Sequence, residues 1–318
     1  MKKSFSTYIL LLFSLLSVEA QKTEAIPFGN MDSWVTRNIK ESAIIGGQTK
    51  QVYAIGPDET INGDKPYVPK EGSPWASSNV LAKVVGITKV SNTVYPDTRA
   101  GGGKCARMTT ILENCKAIGL INIDVLVSGS IFLGQMFEPI KSTSNPYSKL
   151  EMGIPFTKRP VALVFDYRLV IPDTDMLYSS GFGKKRVVNG RDKAEVFIYL
   201  QRRWEDSEGN IHAHRVGTAR ELFGKSSDSW VNGYRLKVNY GDITHEPYYT
   251  QRMALIPKDN SYYARNSKGK IVPVIEEGWD DAGATPTHLL VMFSAGSNGA
   301  YIGTPGATLW VDNVALAY

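Results

Sequence analysis

Two short stretches carry side chains polar enough to bind or react. "FDYR", residues 165–168, sets Asp166 and Arg168 on one face of a strand and Phe165 and Tyr167 on the other, since side chains alternate along extended backbone. Two opposite charges on a concave sheet face can grip sugar hydroxyls; the plainer alternative is an exposed, salt-bridged face. "HAH", 212–214, puts His212 and His214 on one strand face, as metal sites do, but the next acid is Glu221, seven residues on. That spacing does not suit a cupin-type zinc or iron motif. No G-x-S-x-G turn is present, which removes one route to a serine nucleophile.

Carbohydrate chemistry makes its own demands. Hydrolysis of a glycosidic bond needs two carboxylates roughly 5–10 Å apart. Glu151, Asp166, Glu195, Glu276 and Glu277 are candidates, and nothing in their spacing pairs them. Binding alone needs flat aromatic faces and groups that fix hydroxyls. Trp75 in "PWASSN" and Trp204 at the end of "QRRW" are the stacking candidates, because loop-borne tryptophans are freer to meet a ligand than strand-borne ones. Asn79, Asp166 and Arg168 are the polar candidates. For each tryptophan the plainer alternative is core packing.

Strands must position these groups. "INIDVLVSG" (121–129), "VALVFDYRLVI" (161–171), "AEVFIYLQRRW" (194–204), "YRLKVNY" (234–240) and "HLLVMFSAG" (288–296) are rich in β-formers, and "SNPYS", "DSEGN", "KDNS" and "NSKGK" separate them. Strands without intervening helices predict an all-β, antiparallel sandwich of the jelly-roll type with long loops. Clean alternation in 121–129 and 194–204 predicts one wet face. Segment 55–78 is the longest expected loop. A break there would leave too few residues before it for a core, so 21–318 is read as a single domain.

The last stretch, "GATLWVDNVALAY", slips phase. Leu309 and Val311 set one alternation, and Val314, Leu316 and Tyr318 the other, so one extra residue must sit near Asp312-Asn313 as a β-bulge. A closing strand this apolar needs a neighbour, and "IPFGNMDSW" (26–34) reads as that first strand.

Residues 1–20 have Lys2 and Lys3, an apolar run from Tyr8 to Leu16, and Ala20 before Gln21: a secretory signal too short to span a bilayer. The segment has no Cys, hence no lipobox, and no later stretch predicts a membrane span. The expected location is secreted, periplasmic or at the cell surface. Removing the segment lowers the formal charge from +5 to +4. "GKKR" (183–186) is the one tight basic cluster and reads as a solvated loop, which with export argues against a nucleic-acid partner. Cys105 and Cys115 either pair after export or stay as buried thiols.

The ordered landmarks "PWASSN", "GGGKCARMTT" (101–110), "GSIFLGQM" (129–136), "GIPFTKRPVAL" (153–163) and "SAGSNGAYIGTPGATLWVDNVALAY" resemble the putative carbohydrate metabolism domain proteins, abundant among secreted proteins of Bacteroides-type gut bacteria. The resemblance implies a galactose-binding-like jelly roll and a carbohydrate role. Related chains often carry paired serines after the apolar strand; here the run is Ser294-Ala295-Gly296-Ser297, so a ligand touching those hydroxyls would meet a different site. Such jelly rolls often hold a structural Ca²⁺, for which Asp32 and Asp312 with carbonyls and water would serve. The alternative for Asp312 is a carboxylate locked by backbone N–H groups of the bulge. The expected function is non-catalytic binding of an oligosaccharide or polysaccharide in carbohydrate utilisation. The alternatives are a glycoside hydrolase of unrecognised type and a structural or adhesive surface subunit.

Overall fold

The computed structural model describes residues 22–70, 72–117, 121–142, 144–180 and 186–318, without the side chains of 114–117 and 121–123. Residues 1–20, read above as an export signal, and 183–185 of the basic cluster lie outside the described residues. The fold is all-β, and the helical segments among the described residues are four short 3₁₀ turns.

Two sheets face each other. In the smaller, the strands run Val231–Lys237, Ala162–Val170, Thr308–Ala317, Lys104–Thr109, Val94–Thr98. In the larger, His288–Ser294, Ala194–Glu205 and Ile211–Phe223 form the centre. Alternation drives the packing. Leu163, Phe165 and Leu169 point inward from one sheet, and Val196, Ile198, Leu200, Val291 and Phe293 from the other, all within one buried cluster. Each such side chain contributes about 1.5–3 kcal/mol by leaving water.

The larger sheet departs from expectation twice. It is mixed: Ile211–Phe223 pairs in parallel with Ile271–Trp279, and Leu150–Met152 in parallel with Tyr263–Arg265. Its pairings also return on themselves through Tyr263–Arg265, Leu150–Met152 and Ser130–Met136 back to His288–Ser294. The ring so closed has its own core of Phe132, Met152, Phe197, Tyr199 and Leu290. Ala194–Glu205 is therefore buried on both faces from 194 to 201, where alternation had suggested one wet face. The supposed wet side is lined by Phe197 and Tyr199, stacked at 4.4 Å and 14°.

The bulge is present. Val164 faces Ala315 and Asp166 faces Asp312, so two residues of the closing strand oppose Phe165. Asn313 takes φ 52°, a region that asparagine tolerates. The bulge marks a change of partner. Residues 308–311 pair with Lys104–Thr109, and 315–317 with Thr23–Ala25. Between them Val314 exchanges hydrogen bonds with Ile26 and Gly29. A Cβ on Gly29 would lie 2.5 Å from the Val314 oxygen, so only glycine lets the backbones meet. The first strand is thus Thr23–Ala25, and "IPFGNMDSW" lies outside any strand except for Trp34, with a turn at 27–30. Segment 55–78 carries strands Glu59–Asn62 and Trp75–Ser77 within what reads as loop. Cys105 is a buried free thiol, pushed up to about 12 by desolvation and the nearby Asp97 and Asp312 charges. The Cys115 side chain lies outside the described residues.

Candidate functional site

A cavity of about 780 Å³ opens on the ring-side face of Ala194–Glu205 and His288–Ser294. Its floor comes from the alternation that buries this face: Glu195, Phe197 and Tyr199, with Met292 and Ser294 from the neighbouring strand. Its walls are the hairpins Val80–Val84/Ile87–Ser91 and Ile111–Ala117/Ile121–Val127, and loops reaching in near 147, 252 and 298.

Glu195 and Arg220 face each other across paired strands. Arg220 Nε and Nη2 both approach Glu195 Oε1 at 2.6 Å, and Oε2 accepts no hydrogen bond from any described residue. Burial pushes the Glu195 carboxyl above its ordinary range, with Arg220 only partly offsetting it. Arg220 Nη1 also donates to Tyr199 Oη at 3.2 Å and to the Arg252 carbonyl at 2.5 Å. Above the floor, Tyr147 and Tyr262 meet edge to face at 5.7 Å, both half-buried. One wall is pinned from behind by Asp192. Its buried carboxylate accepts from Thr304 N at 2.7 Å, Asn298 Nδ2 at 2.8 Å and Ser297 N at 3.5 Å.

The sequence candidates fall mostly elsewhere. Trp75 is completely buried, its Nε1 donating to the Pro27 carbonyl at 2.9 Å and its ring beside Phe293, so it offers a ligand no face. Asn79 is saturated: Nδ2 donates to Tyr53 O and Val94 O, and Oδ1 accepts from Thr93 N and Val94 N. No donor or acceptor remains for a sugar. Trp204 is 37% exposed at the far end of its strand, stacked on His212 at 5.6 Å and absent from the cavity lining.

Asp166 and Arg168 do share a strand face, but it is the outer face of the smaller sheet, away from the cavity. Arg168 lies over the Trp310 ring at 5.0 Å. Asp166 pairs instead with Arg99, whose Nη2 is 2.7 Å from its Oδ2 and whose Nη1 binds Asp312. Desolvation opposes the Asp166 charge, but donors from Asn313, Gly233 and Arg99 hold its carboxyl below the usual range. Asp312 also accepts from Asn313 N at 2.7 Å, the bulge contact expected of it. These residues do not fit calcium. A guanidinium already meets Asp312, while Asp32 is spent on Lys104 N at 2.7 Å and Asn30 Nδ2 at 2.9 Å. A cation beside Arg99 would be repelled.

Of the carboxylates considered for catalysis, Glu195 alone lines the cavity. Glu276 is buried in the ring against Arg215 at 2.5 Å, and Glu277 holds His212 at 2.6 Å. Of the 294–297 run, Ser294, Gly296 and Ser297 line the cavity. Arg220, Tyr147, Tyr262 and Arg252 were not legible as site residues. One signal was available: aromatic Phe197 and Tyr199 alternating with a carboxylate on a face that looked wet.

An all-β protein of sandwich type, built on two main sheets and carrying an aromatic-floored cleft, is the class that fold and site define. A family profile described as "Putative carbohydrate metabolism domain" matches residues 48–255, and the chain belongs to that family. Two solved structures described as putative glycoside hydrolases are similar to it. The one from Bacteroides thetaiotaomicron is 18% identical, with 89% of this chain and 70% of that one covered and a TM-score of 0.48. The one from Bacteroides vulgatus is 14% identical, with 93% and 96% covered and a TM-score of 0.42. No curated protein matches the chain.

Proposed function

We propose that the cleft beside Glu195 binds an oligosaccharide, or a stretch of polysaccharide, for an exported protein of carbohydrate utilisation. The observation that carries this reading is the pairing of aromatic and polar groups at one cavity. Tyr147 and Tyr262 offer ring surface for sugar C–H faces, and Glu195 Oε2 offers an acceptor to a hydroxyl. The volume is that of a small-ligand site. Family membership supplies the carbohydrate class. The Arg220 pair keeps Glu195 placed as a fixed acceptor, which suits binding.

Titration calorimetry against a broad oligosaccharide panel tests this. Tyr147→Ala should weaken a confirmed ligand about tenfold, on the analogy of stacking contacts worth ~1–3 kcal/mol, without changing the melt. Normal binding by both Tyr147→Ala and Glu195→Gln would sink the proposal.

One observation favours a hydrolytic second reading. A carboxyl raised by burial is what a general acid requires, and Glu113 is the other carboxylate lining the cleft. Release of reducing ends that disappears in Glu195→Gln would decide for hydrolysis.

A further inference from the structure

Charge in the cleft is not balanced. Among the described residues four cations line it, Lys89, Lys149, Arg220 and Arg252, against two carboxylates, Glu113 and Glu195. Both carboxylates are matched. Glu195 is held by Arg220 at 2.6 Å, and Glu113 by Lys89 at 3.3 Å, with Lys89 also 3.6 Å from Glu41. The other two cations donate hydrogen bonds only to neutral acceptors among the described residues, although the Arg252 charge is also felt by Glu195. Lys149 Nζ donates to Ser148 Oγ at 3.1 Å, and Arg252 Nη1 to the Ser297 carbonyl at 2.5 Å.

Arg252 is also fixed in place. Its own carbonyl accepts from Arg220 on the floor, and its guanidinium reaches Ser297 on the wall, so it bridges the two. Most of its five N–H donors remain free to meet a planar or tetrahedral anion. Arg252 is exposed and Lys149 half-buried, so a charged guest can reach both.

We propose that the cleft selects carbohydrates carrying an acidic group, a uronate carboxylate or a sulfate ester, with Arg252 and Lys149 as the recognising residues. The inference rests on the reading of the cleft as a glycan site and adds the chemical class of glycan.

The test measures calorimetric affinity for two matched pairs: oligogalacturonates with their carboxyl-reduced forms, and sulfated carrageenan oligosaccharides with their desulfated forms. At least one acidic member should bind roughly tenfold or more tightly than its neutral partner, as a charge-assisted contact would give. The pair that shows the preference identifies carboxylate or sulfate. Added salt should erode it, and Arg252→Gln with Lys149→Gln should remove it. Equal affinity within both pairs, or a preference that survives in the double variant, overturns the inference and leaves the glycan site standing. If no member of these pairs or of the wider panel binds, the glycan site itself falls and this inference with it.

Discussion

Asp312 lies in the last strand with its side chain 6% exposed, and its negative charge is met by Arg99, 213 positions earlier in the chain. The same guanidinium serves Asp166 and Asn232 Oδ1, and rests over the Trp230 ring at 4.5 Å. Burial, helped by the neighbouring Asp166 charge, holds the Asp312 carboxyl above its ordinary range despite the opposing Arg99 and Asn313 donors. Removing the carboxylate leaves a guanidinium half-buried with one partner fewer. Asp312→Ala should therefore lose about 2–3 kcal/mol, read as a lower denaturant midpoint at unchanged slope. Chelator should leave the wild-type melt where it is, because the acid's partner is an arginine. A chelator-sensitive midpoint would revive a cation at this place. Trp75 and Asn79 teach the same lesson from the other side. Their residue types suit a sugar, and their geometry spends every polar atom within the protein.

At the scale of elements, the hairpin Ala194–Glu205/Ile211–Phe223 carries the site at one end and an ionic clasp at the other. Its turn, "DSEGN", is set by Asp206, whose Oδ1 accepts from Glu208, Gly209 and Asn210 N at 2.9 Å. Next to the turn, His212 Nε2 faces Asp206 at 3.1 Å and Nδ1 faces Glu277 at 2.6 Å. Both ring nitrogens can donate only in the cation. The Asp206 contact, outweighing burial and helped by Glu277, raises the His212 pKa above 6.5. The folded value exceeds the unfolded one, so this stabilisation is fully present below 6.5 and is lost as pH rises through the folded value. His212→Gln should melt below the wild type near about pH 5.5 and converge with it in alkali. A constant gap across that range would show that the clasp is not ionic.

For the whole molecule, the two faces of the larger sheet do different work. One closes the sandwich core; the other carries the ring core and the cleft, whose rim is made of loops with local anchors. Asp192 is such an anchor, buried and tied to Ser297, Asn298 and Thr304. Asp192→Asn should loosen that rim while the sandwich stays intact. Hydrogen exchange is expected to quicken at 297–304 and to hold steady through 308–317, with glycan affinity falling in parallel. Faster exchange throughout both sheets would make Asp192 a general stability residue and not a rim anchor.

Local patterns in this chain were readable because they rest on nearest-neighbour geometry. Period-two alternation placed the strand at 194–205, continuous runs of β-formers placed those at 162–170 and 288–294, and a one-residue slip in the alternation of the last stretch placed the bulge at Asp312-Asn313. The landmark segments in order carried the family. Alternation cannot report what lies across a face, so it could not tell a solvent-facing side from one roofed by a second core. Nor can it report which distant charge meets a carboxylate. The closure of the ring through Leu150–Met152 and Tyr263–Arg265, the parallel pairings, the Arg99 hub and the meeting of Glu195 with Arg220, Tyr147 and Arg252 all depend on contacts between residues far apart in sequence. Only the packed chain brings those groups within hydrogen-bond range.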